Sequence, residues 1–289
     1  MIDLLILNYN DADTTIDFIN NVKGYSVVEH ILVVDNCSTD NSYDRLKKLE
    51  DKKICVIAAP RNGGYGFGNN YGMHYLAREY RSQYVLQCNP DVIVNEKVLQ
   101  SLEQFLITHP DYAIAAPFML DKEGKKVPYA AFPLATKWQY ILSLDIVLDK
   151  FLPLNVYEDL IEDTDSYKTV DAVAGSLLMY DLKKMMYIGM YDENIFLYCE
   201  EMSLGLKLKA AGYKTALLLH QTFIHNHSVS INKTYKSGFS KRKLLVKSKL
   251  YVIQHFYKAS NIEYFIAYIL SKLSFLEIIL LDLYHNYKK

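Results

Sequence analysis

The sequence predicts an α/β protein in which a mostly parallel, doubly wound sheet is flanked by helices. Three observations lead to this prediction. Along residues 1–109, short apolar segments alternate with longer amphipathic ones. The apolar segments have the length of strands, and turn-forming residues separate them from the segments that follow. Because buried parallel strands are continuous apolar runs joined by helices, this alternation favours a parallel sheet.

The elements follow one another in a regular order in this part of the chain. The first helix has acidic and threonine residues at its start, as helix N-termini commonly do. The predicted strands are IDLLIL, HILVVD, KICVIAA and YVLQ, and the predicted helices are DADTTIDFINNV, YDRLKKLE, YGMHYLAREY and EKVLQSLEQFLITH.

Polar residues follow each predicted strand at the point where it ends. Asn8 and Asn10 follow the first strand, Asp35 follows the second, the segment RNGGYGFGNN follows the third and Asp91 follows the fourth. In open α/β sheets, ligands bind at the carboxyl ends of the strands. The sequence therefore predicts a ligand site at this edge of the sheet.

The glycine-rich segment GYGFGNNYG allows several interpretations. Its G-x-G spacings suggest a dinucleotide-binding loop, but the segment follows the third strand, its third glycine is misplaced, and no acidic residue closes a later strand about 20 residues on. A plain tight loop explains the composition as well. The functional alternative is a close approach of the backbone to a phosphate or a sugar, which glycine permits.

Asp91 lies in the segment YVLQCNPDVIV, where Pro90 fixes a turn directly after an apolar strand. A turn-forming aspartate is one interpretation. The other is a ligand of a hard metal beside a diphosphate, because such metals are often held by one or two carboxylates together with substrate oxygens.

Two adjacent glutamates, Glu200 and Glu201, stand at the start of a predicted helix in NIFLYCEEMSLGLKLKAAG. Leu204 and Leu208 recur with helical spacing, and Gly212 ends the helix. Neighbouring helix residues point about 100° apart, so the two carboxylates cannot both aim squarely at one target. Periodicity leaves open which of them is catalytic, since both flank the apolar stripe at similar angles.

The net charge of −1 hides an asymmetry along the chain. Residues 1–201 hold 18 Lys/Arg and 30 Asp/Glu, a balance of −12, whereas residues 202–289 hold 14 and 3, a balance of +11. The basic part is either a solvated face or a surface attracted to an anionic membrane or nucleic acid. The acidic remainder of the chain argues against nucleic acid as a partner.

Cysteine usage and the N-terminus indicate a cytoplasmic protein. The four cysteines form no C-x-x-C pair, so neither a disulfide framework nor a zinc site is indicated. The N-terminal MIDLLILNYN has no basic region and is predicted to be a strand rather than a signal peptide.

The sequence predicts two parts of the chain: a domain of residues 1–232 and a basic, apolar helical region of residues 233–289. The segment IEYFIAYILSKLSFLEIILLDLY is strongly apolar, but four charged residues interrupt it, namely Glu263, Lys272, Glu277 and Asp282. A membrane-spanning helix needs about 20 consecutive, predominantly apolar residues, so no span is predicted. Either the two helices pack on the first domain, or they bind a membrane interface from the cytoplasmic side.

Several motifs together resemble a known family. Along about residues 2–230 they resemble, in the right order, those of glycosyltransferase family 2, in the branch that includes bacterial rhamnosyltransferases of cell-surface polysaccharides. The segment NPDV resembles that branch's version of the D-x-D metal motif. The motifs are LNYN, VVDNCSTDNS, NGGYGFGNNYG, NPDV, VAGSLLMY, FLYCEEMSLGLKLKAAGY and HNHSVS.

The resemblance implies a GT-A fold, an inverting mechanism and a nucleoside-diphosphate sugar donor. Asp91 would bind a divalent metal, Mn²⁺ or Mg²⁺, on the diphosphate, and His225 would be a second contact to that metal or to the diphosphate. His220 and His227 are weaker alternatives. Asp35 would hold the base of the nucleotide. The residues expected to bind the donor are Asn8, Asn10, Asp35, Asn62, Gly64, Asn69 and Asn89.

The family position also implies which glutamate is the base. The second acid of the family's Glu-Asp pair is its usual base, and Glu201 stands at that position. Glu200 would then orient the acceptor or the loop. The chain differs from the family in having Glu201 in place of aspartate and Ser203 where another acid is common.

The expected function is transfer of a sugar to a saccharide or lipid-linked saccharide acceptor in the synthesis of cell-surface polysaccharide. By analogy with the branch, the donor is dTDP-rhamnose. The alternatives are transfer of galactofuranose or another hexose from a UDP donor, and a catalytically silent subunit that binds a sugar nucleotide.

Overall fold

The computed structural model of the protein describes residues 1–152, 157, 160–162, 164–226 and 238–287, with residues 281–287 described by their backbone alone. Within these residues a large mixed sheet is flanked by helices, which confirms the predicted α/β class. The predicted domain boundary at residues 232 and 233, and also His227, lie outside the described residues.

The strands of the large sheet lie in the order β3-β2-β1-β4-β10-β6-β11-β5, and β8 pairs with β11. The strands β7 and β9 form a separate two-stranded sheet. The strands are β1 Ile2–Asn8, β2 Val28–Asp35, β3 Ile54–Ala58, β4 Tyr84–Cys88, β5 Val92–Ile93, β6 Tyr112–Leu120, β7 Ala131–Phe132, β8 Tyr167–Val170, β9 Ala172–Val173, β10 Leu177–Asp181 and β11 Lys214–His225.

Most helices connect or cover these strands, and the last two form a pair after the sheet. The helices that precede this pair are α1 Ala12–Val22, α2 Ser42–Lys47, α3 Tyr65–Tyr75, α4 Glu96–Thr108, α5 Lys137–Leu142, α6 Ile146–Phe151, α7 Leu182–Tyr187 and α8 Glu200–Ala210. The C-terminal helix pair consists of Gly238–His255 and Asn261–Tyr287.

The sheet is parallel in its first half and mixed in its second. The strands β3, β2, β1 and β4 are parallel neighbours, as the alternating strands and helices of the sequence predict. Beyond β4, the strand β10 is antiparallel to both of its neighbours, and only β6 and β11 run parallel. In the second half, strands and helices do not alternate regularly along the chain, so the sequence carries little sign of the direction of these strands.

The register between β6 and β11 shifts in the middle of the pair. Leu218 lies opposite Pro117 and Thr222 lies opposite Phe118, so residues 219–221 are extra residues on β11. Beyond this irregularity β11 also pairs with the short strand β5, where His225 lies opposite Val92.

The predicted start of α3 at Tyr71 is wrong, because the helix begins at Tyr65. Its glycines lie on the face that packs against the sheet. A Cβ atom added to Gly68 would lie 2.4 Å from a methyl carbon of Leu7, and one added to Gly72 would lie 2.3 Å from a methyl carbon of Leu5. The glycines therefore bring the helix close to β1, and this packing overrides their low helix propensity.

The C-terminal helix pair packs against the region around α5 and α8. A second apolar core joins the two parts of the chain, and its fully buried members include Ile141, Leu144, Val252, Ile253 and Ala267. Polar contacts reinforce it: the main-chain N–H of Ile146 donates to Glu277 Oε2 at 2.9 Å, and Lys137 pairs with Glu263 at 2.6 Å. Among the described residues, no helix combines the length and apolarity needed to cross a bilayer.

Candidate active site

The loops that follow β1 and β2 form a cluster of polar residues around Asp35. Asp35 is only 1% exposed. The Asp35 carboxylate accepts hydrogen bonds from Asn8 Nδ2 at 2.8 Å, from Ser38 N at 2.8 Å and from Ser38 Oγ at 2.7 Å. Asn10 Oδ1 accepts from the main-chain N–H of Thr39 at 2.8 Å. Asp35 thus fixes the shape of the loop, and its contact with a nucleotide base remains a prediction.

Three predicted donor-binding residues lie around the start of α3, with Asn62 and Gly64 in the loop before the helix and Asn69 within it. Asn62 Oδ1 accepts from Gly64 N at 3.1 Å and from Asn36 Nδ2 at 3.2 Å. Gly64 has a φ of 92°, and a Cβ there would lie 2.0 Å from the carbonyl oxygen of Phe196. Glycine is therefore required where this loop meets the segment that carries the glutamates. Asn69 is buried, and its Nδ2 donates to the Tyr65 carbonyl at 3.0 Å.

The structure brings Asp91 and His225 together, although 134 residues separate them. The Nε2 atom of His225 lies 3.2 Å from Asp91 Oδ1, and the two side chains are only 9% and 10% exposed. Backbone pairing sets this geometry, because Asn226 N donates to the Asp91 carbonyl at 3.0 Å and β5 pairs with β11. A carboxylate oxygen and an imidazole nitrogen suit a divalent cation that takes its remaining ligands from a diphosphate and water.

Another group of potential metal ligands lies at the opposite end of the strands. Asp3, Glu29 and His30 hold their ligand atoms within 4.8 Å of one another. Asp3 and His30 are opposite each other near the starts of β1 and β2, and Asp3 Oδ1 accepts from His30 N at 3.1 Å. This group therefore lies away from the carboxyl ends of the strands and is distinct from the predicted metal site.

Glu200 and Glu201 begin α8 and differ in their surroundings. Glu200 is 4% exposed, and its Oε1 has no hydrogen-bond partner among the described residues. Burial, and then the neighbouring carboxylate of Glu201, raise the pKa of Glu200 well above its ordinary value of about 4.5. Glu201 is less buried and accepts from the main-chain N–H of Gly175 at 3.2 Å. Burial raises the pKa of Glu201 as well.

A hydrogen-bond network connects the Gly175–Ser176 loop, which bonds Glu201, with the start of α3 and with the turn that carries Asp91. The Tyr65 hydroxyl donates to the Gly175 carbonyl at 2.6 Å and accepts from Gln87 Nε2 at 2.6 Å. Asn89 N donates to the Ser176 carbonyl at 2.8 Å. The loop that holds Glu201 is thus joined to the start of α3 and to the turn that carries Asp91.

Sequence reasoning missed several residues of this network, namely Tyr65, Asn70, Gln87, Ser176 and Tyr191. Gln87 offered a signal, since it is a polar residue inside the otherwise apolar strand YVLQC. Asn70 binds the main chain of Tyr191 through both ends of its amide, at 3.0 and 3.1 Å. Nothing in the local sequence indicates that contact, because 121 residues separate the partners.

Several buried oxygen atoms in this region have no hydrogen-bond partner among the described residues. They belong to Asn36, Asn69, Gln87 and Glu200. Buried polar atoms in proteins are usually hydrogen-bonded, so these atoms are available to water or to a polar ligand.

Solved structures with the same fold are glycosyltransferases. The structure resembles that of GalNAc-T7 with UDP, GalNAc and Mn²⁺, with a TM-score of 0.64 at 14% identity, over 87% of this chain and 47% of that chain. It also resembles the mannosyltransferase PcManGT from Pyrobaculum calidifontis in complex with GDP-Man and Mn²⁺, with a TM-score of 0.57 at 12% identity, over 94% of this chain and 69% of that one. The fold is therefore the GT-A fold of glycosyltransferases.

The family is defined by sequence. The model of glycosyl transferase family 2 matches residues 3–152, more than half of the chain, and the chain belongs to this family. The hexosyltransferase Agl10 of low-salt glycan biosynthesis from Haloferax volcanii is 25% identical, over 79% of this chain and 68% of its own length. The rhamnosyltransferase WbbL of Escherichia coli K12 is 25% identical, over 74% of this chain and 79% of its own length.

A third relative is the N-acetylglucosaminyl-diphospho-decaprenol L-rhamnosyltransferase of Mycobacterium tuberculosis. It is 22% identical, over 70% of this chain and 68% of its own length. The rhamnosyltransferase-like branch of the family, predicted from the motifs, is thus confirmed by these relatives.

Proposed function

We propose that this protein is an inverting, metal-dependent glycosyltransferase that moves a sugar from a nucleoside diphosphate to a saccharide acceptor. The observation that supports the proposal is the shared loop Gly175–Ser176. The main-chain N–H of Gly175 donates to Glu201. The Ser176 carbonyl accepts from the N–H of Asn89, which precedes Asp91 by two residues in the chain. The loop thus connects the proposed base with the turn that carries Asp91, one of the two proposed metal ligands.

In the proposed reaction the acceptor hydroxyl attacks the anomeric carbon from the face opposite the leaving group. Glu201 takes the hydroxyl proton during the attack, and the nucleoside diphosphate departs with the electron pair of the broken bond. A divalent cation held by Asp91 and His225 would stabilise the charge that develops on the diphosphate. The raised pKa of Glu201 suits this role, because a base is most effective when its pKa is close to the working pH.

Glu200 has a different part in this mechanism. Its raised pKa favours a protonated side chain, which has a hydrogen to donate to the acceptor or to the surrounding loop. Donation of this kind orients a partner without taking up its proton. Ser203 does not replace the acid that is common in the family, since its hydroxyl donates to the Glu200 carbonyl at 2.9 Å.

The names of the relatives support rhamnose as the transferred sugar and a lipid-linked saccharide as the acceptor. We therefore propose dTDP-rhamnose as the donor. Transfer of galactofuranose or another hexose from a UDP donor is the second candidate, supported by the hexosyltransferase Agl10. A silent subunit that only binds a sugar nucleotide is the alternative outcome, given that Glu201 replaces aspartate.

The proposal is tested by a thermal-shift screen of nucleoside-diphosphate sugars, each with and without Mn²⁺ or Mg²⁺. Sugar transfer is then measured with the donors that stabilise the protein. We expect metal-dependent stabilisation by dTDP-rhamnose and transfer to a lipid-linked saccharide. Stabilisation without turnover with any acceptor would identify a silent binder. Absence of stabilisation by every donor would contradict the proposed donor class.

We also propose that the C-terminal helix pair rests on the membrane that carries the acceptor. The second helix of the pair presents an apolar stripe to solvent along one face, with Phe265 61% exposed and Leu276 58% exposed. Exposed Lys243 and Lys247 lie on the first helix. This combination suits an anionic membrane surface. The other exposed apolar residues of the stripe are Ile262, Ile269, Leu273, Ile279 and Leu280.

The packing of the pair changes the expected strength of this attraction. Residues 233–258 carry eight Lys/Arg and no acid, but two of these side chains face inward. Lys249 Nζ donates to the Ser143 carbonyl at 2.8 Å, and Arg242 donates to the Leu144 carbonyl. Each basic residue near an anionic surface adds about 1 kcal/mol, so the inward pair contributes little to binding.

Vesicle co-sedimentation tests the membrane proposal. We expect binding to anionic vesicles that weakens with salt, and weaker binding by the variant Phe265→Ser/Leu276→Ser. The matched control is Ile107→Ser, because Ile107 is also exposed but lies on α4. Equal behaviour of the two variants would contradict the assignment of this face.

A further inference from the structure

The segment that leads into α8 contains two consecutive residues in the left-handed region of backbone space. Tyr198 has a φ of 68° and Cys199 a φ of 71°. This conformation is costly for residues other than glycine and is rarely adopted by two neighbours. Such a turn persists only when surrounding contacts hold it. Because the turn comes directly before Glu200 and Glu201, whatever holds it also sets the direction of their carboxylates.

Two hydrogen bonds fix the main chain immediately before the turn. Tyr65 N donates to the Phe196 carbonyl at 3.0 Å. Ser248 Oγ donates to the Leu197 carbonyl at 2.7 Å, and Ser248 is only 5% exposed. The first bond comes from the glycine-rich start of α3. The second comes from the C-terminal helix pair, which contains none of the predicted catalytic or donor-binding residues.

Further contacts between the pair and the same segment surround this bond. The Tyr251 hydroxyl donates to Asp192 Oδ2 at 3.1 Å. The fully buried side chain of Ile195 belongs to the same apolar core as Val252 and Ile253. The segment before Leu197 is therefore held against the first helix of the pair, and Ser248 is the residue of that helix that bonds the main chain next to the turn.

We propose that Ser248 is a positioning residue for glycosyl transfer, whose hydroxyl holds the Tyr198–Cys199 turn in the conformation that places Glu201 against Gly175. The inference rests on the proposed function of Glu201 as the base. It assigns to the C-terminal helix pair a part in catalysis that is separate from any contact with a membrane.

The effect falls on turnover and not on donor binding. Asn8, Asp35 and Asp91 lie on other loops, and the hydrogen bonds described above for them involve neither Ser248 nor Leu197. A displaced base, by contrast, slows the chemical step steeply, since a misplacement of about 1 Å can cost on the order of a hundredfold in rate. We expect Ser248→Ala to lower kcat by at least about tenfold and to leave the donor Kd unchanged.

Ser271→Ala is the matched control. Ser271 is also a buried serine of the C-terminal pair, 1% exposed, but its hydroxyl donates to the Tyr268 carbonyl of its own helix at 2.7 Å. Both variants lose one buried hydrogen bond, whereas only Ser248→Ala loses the bond to Leu197. A tenfold or larger difference in kcat between them supports the proposal, and equal values overturn it.

A second measurement does not depend on turnover and separates failure of this inference from failure of the proposed function. The Cys199 thiol is half-buried beside the Tyr140 hydroxyl, and desolvation raises its pKa to about 12, so we expect its alkylation in the native protein to be slow. Cys37 is exposed and serves as the internal reference in peptide mapping by mass spectrometry. We expect faster alkylation of Cys199 in Ser248→Ala and no change in Ser271→Ala.

The outcomes are distinct. A wild-type protein without turnover on any donor would refute the proposed function, and the alkylation rates would still test whether Ser248 holds the turn. An unchanged Cys199 rate in Ser248→Ala would refute the positioning role. In the double variant Cys199→Gly/Ser248→Ala, glycine adopts the left-handed conformation freely. We expect it to recover part of the lost kcat, and a kcat at or below that of Ser248→Ala would count against the role of the turn.

Discussion

The predicted donor half of the site, around Asn8 and Asp35, and the predicted base-bearing half, around Glu201, are assembled in different ways. In the donor half, Asn8 and Asp35 follow their own strands directly, and parallel pairing brings the two strand ends together in register. In the base-bearing half, Glu201 is aligned by Gly175, and the turn before it is bonded by Ser248, which lies 51 residues from Leu197. The first half depends on local sequence and the second on distant packing.

This difference indicates which substitutions should impair each half of the site. The sheet holds the backbone of loops that directly follow its buried parallel strands. A substitution in such a loop should therefore remove the function of the replaced side chain without moving its neighbours. The predicted base-bearing segment lies between α7 and α8, so it does not follow a strand directly, and it is contacted by α3, by the 174–176 loop and by the C-terminal pair. Substitutions far from the chemistry should therefore slow transfer through the second half and not through the first.

The largest effect is expected at Asp91. Asp91→Ala removes the carboxylate that would anchor the cation, and loss of several kcal/mol of charge stabilisation corresponds to a fall in kcat/KM of about a thousandfold or more. Donor binding should also lose its metal dependence, measured by calorimetry with and without Mn²⁺, and His225→Ala should weaken both properties. Asp121→Ala is the control, because Asp121 stabilises an exposed turn by accepting from the N–H groups of Glu123 and Lys125. Normal turnover in Asp91→Ala would show that Asp91 only shapes its turn.

The next effect is expected at the glutamate pair. Glu201→Gln should lower kcat by at least about a hundredfold, the lower range for loss of a general base, while donor affinity is retained. Glu200→Gln should cost less, because a protonated glutamate and a glutamine both present a hydrogen-bond donor. Steady-state kinetics with saturating donor and acceptor provide the comparison. The reverse ranking would assign the base to Glu200, and full activity of both variants would exclude the pair from the mechanism.

A smaller effect, on stability, is expected where the two halves touch. In Gly64→Ala the new methyl would collide with the Phe196 carbonyl, and the left-handed conformation would also become unfavourable. Gly124→Ala is the control, since Gly124 has a φ of 79° with nothing within 4 Å of its Cβ position. The control should lose about 1–2 kcal/mol in the free energy of unfolding, the cost of the backbone conformation alone. Gly64→Ala should lose clearly more, and equal losses in urea denaturation would argue against tight contact between the halves.

The smallest effect concerns pH and the buried Glu200. Its raised pKa means that the folded state keeps a proton that the unfolded state releases above about pH 4.5. The contribution of protonated Glu200 to the free energy of unfolding is therefore fully present below the unfolded pKa. This contribution is lost as the pH rises through the folded pKa. Glu200→Gln removes this loss, so its Tm should exceed that of the wild type at pH 8 and approach it at pH 4. A wild-type Tm that is independent of pH, or a Glu200→Gln variant with the same pH dependence as the wild type, would contradict the assignment.

The sequence predicted the donor half better than the base-bearing half, for a physical reason. The strands ending at Asn8 and Asp35 were predicted because apolar runs and their following loops are contiguous in the chain. The direction of β10 was not predicted, and neither was the role of Gln87, because both are decided by neighbours far away in sequence. The start of α3 was misjudged because glycine signals a loop on composition alone, whereas here it allows a helix to approach β1.

The extra residues 219–221 of β11 have a consequence for insertions and deletions. Side chains alternate between the two faces of a strand, so the deletion of one residue between Leu218 and Thr222 would place Asn226 opposite Val92 and turn His225 to the other face. The pair with Asp91 would then be lost although no residue of the pair had changed. The exposed turn at Gly124 has no such effect on the site and should accommodate changes of length. Length variation in naturally occurring versions of this protein is therefore expected at the turn and not in this part of β11.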